Sequence, residues 1–202
     1  MPAKIDYYVF ISSPWAYFGS ERFAALAKKY AAQVTIIPMA PLALFDATGG
    51  LPLLKRAQQR QDYRFVELER WRTHLGVRLN LRPKGFPTNE TTAGKLVTAA
   101  RESAGNDQAI TLAHAMMRGL WAEERDIANA DDLKQIIAAN GLDAGTLFAM
   151  IETPELVAEY ERGTQQAIAA GAFGAPFYVI EGEPFWGQDR LDFVERKLAS
   201  LT

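Results

Sequence analysis

Ser13 stands in "VFISSPWAYFGSERF", where an apolar, β-branched and aromatic run gives way to helical spacing, with Pro14, Trp15 and Ala16 directly after it. Serine then proline at such a junction reads as a helix N-cap: the side-chain oxygen accepts from the first turn, and proline fills a position whose N–H has no partner anyway. The same junction gathers exposed N–H groups and the positive end of a helix dipole, which favour an anion such as a thiolate, and a hydroxyl adds one hydrogen bond to it. Two more places offer chemistry. In Gly174-Ala175-Pro176-Phe177 a proline meets a strand-like run. Proline cannot donate to a sheet ladder, so it starts the strand, lies at an edge, or follows a cis bond that turns the Ala175 N–H and C=O toward a peptide-like ligand. In "FWGQDRLDFVE" Gln188 and Asp189 precede the last helical stretch, where the acid is either a cap or the partner of an ammonium group.

What the chain lacks narrows that chemistry. None of its 202 residues is cysteine, which removes disulfides, thiolate metal sites, cysteine nucleophiles and dithiol redox couples together. Any thiol must come from a ligand. With 22 basic against 24 acidic residues, bulk charge announces no nucleic-acid or membrane partner, and a small ligand is the default. There is no Walker loop, G-x-S-x-G elbow or H-E-x-x-H. The two histidines, His74 and His114, fall inside helical patterns among apolar neighbours and read as structural or surface residues, with catalysis the lesser alternative for want of a companion nucleophile motif. No apolar run reaches the length of a membrane span, and the N-terminal one is interrupted by Asp6 and has no small-residue cleavage site, so the expectation is a cytoplasmic protein.

The elements that must position these residues follow from periodicity. Residues 6–11 and 33–39 read as strands around a helix over 14–30, and so short a crossover implies a parallel pair. A helix over 56–75 ends at Gly76, between turn-rich "ATGGLPLL" and "LRPKGFPTN". Asn89, Asn129 and Thr153 stand where N-caps belong, giving three or four helices between residues 89 and 170. "FGAPFYVI" and "EGEPFW" then read as strands joined at Glu181-Gly182-Glu183, and a helix over 190–201 closes the chain. The fold class is α/β, with a sheet domain built from residues 1–40 and 171–202 and an all-helical insertion over 41–170.

Taken in order, Ser13-Pro14-Trp15-Ala16, F-G-A-P-F and W-G-Q-D-R-L resemble the 2-hydroxychromene-2-carboxylate isomerases and their relatives, the kappa-class glutathione transferases, over nearly the whole chain. The resemblance implies a thioredoxin-like domain interrupted by a helical domain, related to DsbA-type oxidoreductases, with Ser13 and Ala16 where those enzymes carry C-x-x-C. It implies glutathione as cofactor, its sulfur hydrogen-bonded by Ser13, its backbone paired with Ala175 beside a cis-Pro176, and its γ-glutamyl end held by Gln188 and Asp189. Arg60 falls near a basic residue of the transferases, Gly50 falls where they show an asparagine, and Gln188, where they tend to have serine, tilts the reading toward the isomerases. Trp15, Tyr17 and Asn89, the last in "FPTN", become contacts for a small aromatic substrate, with helix capping, core and interface roles as alternatives. The implied activity is reversible thiolate addition that interconverts 2-hydroxychromene-2-carboxylate and trans-o-hydroxybenzylidenepyruvate, in a homodimer. A kappa-like transferase and a non-redox thioredoxin-fold binding protein are the alternatives.

Overall fold

Strand β1 (Lys4–Val9) is buried on both sides over its C-terminal half, and its alternation assigns each residue to a layer. Ile5, Tyr7 and Val9 join one hydrophobic cluster, whereas Tyr8 and, just beyond the strand, Phe10 join another, as the two-residue period of a strand requires. A strand buried on both faces belongs at a sheet centre. In this computed structural model, which describes residues 2–201, the sheet order is β2-β1-β3-β4. β1 runs parallel to β2 (Gln33–Pro38), and helix α1 (Pro14–Lys29) makes the crossover between them. β3 (Phe177–Ile180) lies antiparallel to β1, and β4 (Glu183–Trp186) antiparallel to β3. Pro38 and Pro184 both fall on edge strands, where no ladder bond is lost. Glu181 and Gly182, with φ of 47° and 83°, form the two-residue hairpin turn, one residue shorter than expected.

The helical segment is more divided than its periodicity implies. It holds α2 (Pro41–Thr48), α3 (Gln58–Leu75), α4 (Thr91–Ala104), α5 (Asn106–Ala122), α6 (Ala130–Ala139), α7 (Ala144–Met150) and α8 (Pro154–Ala169). Five of these follow residue 89, not three or four. Gly105, at φ 87°, breaks what otherwise reads as continuous helix across 91–122, and α7 has only seven residues. Helix α2 was not expected either: Ala47 and Thr48 continue a helix begun at Pro41, and Gly49, at φ 75°, ends it. Asn129 and Thr153 cap α6 and α8 as expected, and Gly76 closes α3 in the left-handed conformation. Asn89 stands one position early, with its side-chain oxygen accepting from Thr91 N–H at 3.0 Å. A 3₁₀ turn (Gln188–Arg190) precedes α9 (Leu191–Ala199).

The larger cluster does not stop at the sheet. It runs from Ile5 and Tyr7 through Phe23 of α1 to Leu96 of α4 and Met116 and Trp121 of α5, so sheet and helices share one core. Among the described residues no helix is long and apolar enough to cross a membrane.

Candidate active site

Ser13 has extended backbone and is 7% exposed at the start of α1. Its Oγ accepts from Ala16 N–H at 3.1 Å, which is the cap, and donates to Ala175 C=O at 3.4 Å. The second bond joins the first βα junction to the far end of the chain, where the Ala175-Pro176 peptide is cis. Neither Trp15 N–H, in the first turn of α1, nor Ala175 N–H has a partner among the described residues. Buried N–H groups are seldom left unpaired. The N–H of buried Ala175 and the first-turn N–H of half-buried Trp15, beside a hydroxyl and a helix N-terminus, make a receptor for an anion and an adjoining peptide carbonyl.

A residue the sequence did not single out fixes this loop. Glu90, 4% exposed just before α4, accepts from Ile11 N–H at 2.8 Å and Ser12 N–H at 2.9 Å, and its carboxylate also takes the Ser12 hydroxyl. Burial pushes its carboxyl up to about 7, outweighing the lowering effect of those bonds. Trp121 Nε1 donates to Ser12 C=O at 3.2 Å, so both polar groups of the Ser12 backbone are held by the helical segment. Glu90 was hidden because its partners lie 78 and 79 residues away, and Asn89 beside it is the stronger cap signal.

Gly187 N–H donates to Pro176 C=O at 2.9 Å and so draws the 3₁₀ turn to the cis peptide. Of the two residues expected to hold a γ-glutamyl group there, the Asp189 carboxylate is exposed and pairs with its neighbour Arg190 at 2.7 Å. Gln188 points inward: 2% exposed, its amide oxygen accepts from Arg22 of α1 at 2.7 Å. Its side chain is committed to the fold, because a buried amide so close to a guanidinium is best satisfied there. Tyr17 is likewise committed: it is buried, donates its hydroxyl to Arg78 C=O at 3.1 Å, and stacks on His114. Trp15 is half-buried against Phe18. His114 takes part in a 2.6 Å bond with the Ser20 hydroxyl, and burial lowers its pKa. His74 packs edge-on against Trp71.

Arg60 lies exposed on α3, with no ion pair or hydrogen bond from its side chain among the described residues. One turn further on, Arg64 sits over the rings of Phe86 and Trp121, with its guanidinium carbon 5.2 and 5.5 Å from their centroids. At Gly50 an added Cβ would lie 2.5 Å from the Phe45 ring, so glycine there is demanded by packing.

A sheet opened by a βαβ unit, a helix N-terminus facing a cis-proline, and helices inserted between the two halves define the thioredoxin class. The family model of DSBA-like thioredoxin domains matches residues 4–199, and the chain belongs to that family. Two relatives named 2-hydroxychromene-2-carboxylate isomerase match it nearly end to end. That of Sphingobium xenophagum is 29% identical over 98% of this chain and 99% of its own; that of Pseudomonas putida is 25% identical over 98% and 95%. A solved 2-hydroxychromene-2-carboxylate isomerase superposes with a TM-score of 0.82 at 22% identity, covering 98% of this chain and 95% of the other. The cytosolic disulfide reductase DsbM of Pseudomonas aeruginosa, solved with GSH, superposes at 0.68 with 18% identity over 97% and 99%.

Proposed function

We propose that this protein is a glutathione-dependent isomerase that interconverts 2-hydroxychromene-2-carboxylate and trans-o-hydroxybenzylidenepyruvate, or a closely related aromatic acid pair. The observation that carries the reading is the Ser13 hydroxyl at a helix N-terminus, against a cis Ala175-Pro176 peptide, in a chain with no cysteine. The names of the whole-length relatives support the reaction class. The reading is a cytoplasmic one, and the similarly folded DsbM is named a cytosolic enzyme.

The residues present fit glutathione. Ala175 N–H, unpaired in a buried residue, suits the peptide carbonyl of such a ligand, and Ser13 Oγ with the unpaired Trp15 N–H suits a thiolate. The exposed Asp189 carboxylate suits an ammonium group, and Arg60 a carboxylate. When bound, glutathione supplies a nucleophilic sulfur that turns a conjugated double bond transiently into a rotatable single bond and leaves unchanged.

The protein's part is electrostatic and positional. A free thiol, with a pKa of about 8.5, is only a few per cent ionised at neutral pH; a lowering of about two units, or about 2.7 kcal/mol, makes it mostly thiolate. Ser13 supplies part of that lowering by rotating its hydroxyl from Ala175 C=O toward the sulfur, while its oxygen keeps the Ala16 cap. The end of α1 supplies the rest. Glu90 and Trp121 hold Ser12 on both sides, so the hydroxyl is aimed before any ligand arrives.

The test is product analysis with trans-o-hydroxybenzylidenepyruvate. We expect interconversion that requires glutathione yet leaves its concentration constant. Accumulation of a glutathione conjugate would make the protein a transferase, and turnover at full rate without glutathione would remove the thiolate role.

A further inference from the structure

Arg64 is a cation that, among the described residues, is held by aromatic rings and by no acid. A cavity of about 270 Å³ opens between the start of α3 and the "LRPKGFPTN" loop, lined by Leu53, Leu54, Phe65, Leu81, Phe86 and Arg64. The half-buried Arg64 guanidinium makes no ion pair or hydrogen bond among the described residues. Its surroundings are aromatic: Phe65 joins Phe86 and Trp121 within 5.9 Å of the guanidinium carbon. Burial, and then the like charge of Arg56, bring its pKa down to about 10, well above neutrality, so it stays charged. Ring faces offset part of the loss of hydration, but they leave five N–H donors in the guanidinium plane unused. A partly desolvated fork of donors is the matching half of a bidentate carboxylate contact.

The acids nearby do not fill that role. Asp62, on the cavity rim, accepts from Gln58 at 2.8 Å and pairs with no cation among the described residues. At the same rim Arg82 lies 4.2 Å from the Phe65 centroid and adds positive charge. The cavity also adjoins the Ser13 loop: Phe86 packs on Trp121 at 4.9 Å, and Trp121 holds Ser12.

We propose that Arg64 is the seat for the carboxylate of a planar aromatic or aryl-conjugated acid, with Phe65 and Phe86 gripping the ring. This deepens the isomerase reading and rests on it for the identity of the site, since it makes the negative charge of the substrate, and not only its ring, the selected feature. The carboxylates of glutathione are a second source of the same chemistry, which the experiment separates.

Three ligands are titrated calorimetrically, without turnover, into the wild type and into Arg64→Met, Arg64→Lys and Arg60→Met: trans-cinnamate, its neutral isostere trans-cinnamamide, and S-methylglutathione. Trans-cinnamate should bind the wild type at least tenfold more tightly than the amide. Arg64→Met should erase that preference, Arg64→Lys keep part of it, and Arg60→Met leave it intact, while S-methylglutathione changes less than twofold on losing Arg64. Equal binding of acid and amide to the wild type overturns the proposal, as does an Arg64→Met variant, folded by circular dichroism, that loses S-methylglutathione and keeps trans-cinnamate. Because no catalysis is read, a protein that lacks isomerase activity yet shows the Arg64-dependent preference refutes the reaction and leaves the carboxylate seat standing.

Discussion

One oxygen serves two partners at Ser13, and the two can be separated by substitution. The cap needs the oxygen as an acceptor, whereas a thiolate needs the hydroxyl proton, now directed at Ala175 C=O. Replacing an N-cap serine by alanine costs about 1 kcal/mol, but by glycine only a few tenths. Both changes remove the proton donor, and one hydrogen bond to a charged group is worth about 1.5 to 3 kcal/mol, or roughly tenfold to 150-fold in rate. Ser13→Ala and Ser13→Gly should therefore lose turnover alike, raise the apparent pKa of the bound thiol alike, and differ in their urea midpoints. A glycine variant with wild-type turnover would reduce Ser13 to a cap.

At the scale of elements, the site depends on how closely α1 approaches the turn before α9. Gly19 makes that approach possible: a Cβ there would lie 2.9 Å from Gln188 Cβ and 3.2 Å from Tyr178 Oη. Alanine gains about 1 kcal/mol of helix propensity, while overpacking a filled interface costs about 1 to 3 kcal/mol. Gly19→Ala should thus be neutral to destabilising in thermal denaturation. On the proposed glutathione reading its larger effect should be weaker binding of that ligand, as the turn carrying Asp189 shifts, and a plainly stabilised variant with unchanged affinity would contradict this packing. The sequence shows why such elements exist more readily than how they meet. β1, α1, β2 and the hairpin were legible because two-residue and helical periods, Pro14 and Gly182 are local signals. The Ser13 cap and the proline landmark at Ala175-Pro176 were legible as motifs. The inward turn of Gln188, the burial of Tyr17 and the break at Gly105 were not, since each is decided by what packs against the residue: Arg22, His114 and the ends of two helices.

For the whole molecule, Glu90 is the joint between helical segment and sheet, and its charge state couples stability to pH. The carboxyl stands at about 7 when folded, raised chiefly by burial, against an ordinary 4.5. The folded state therefore holds the proton more tightly than the unfolded chain. Glu90's contribution is complete below about pH 4.5 and is lost as pH rises through about 7, at up to about 1.4 kcal/mol per pH unit. Tyr160, whose hydroxyl is buried without a partner and raised by burial and by Glu90, offers the carboxylate no compensating charge. Asp6, raised by its own burial, acts in the same sense, and His114, lowered by burial, in the opposite one. The signal is therefore the difference between wild type and Glu90→Gln. The amide keeps the volume but turns an NH₂ toward the donors of Ile11 and Ser12, leaving a buried donor unsatisfied at about 1 to 3 kcal/mol. Urea unfolding should find the variant less stable than the wild type at pH 5, with the gap closing steadily toward pH 8. A gap that widens instead would mean that the three hydrogen bonds outweigh burial and that Glu90 is ionised throughout. On the proposed reading the same variant should lose turnover through kcat more than KM, because a loosened Ser12 mis-aims Ser13 without touching the groups proposed to hold the ligand ends.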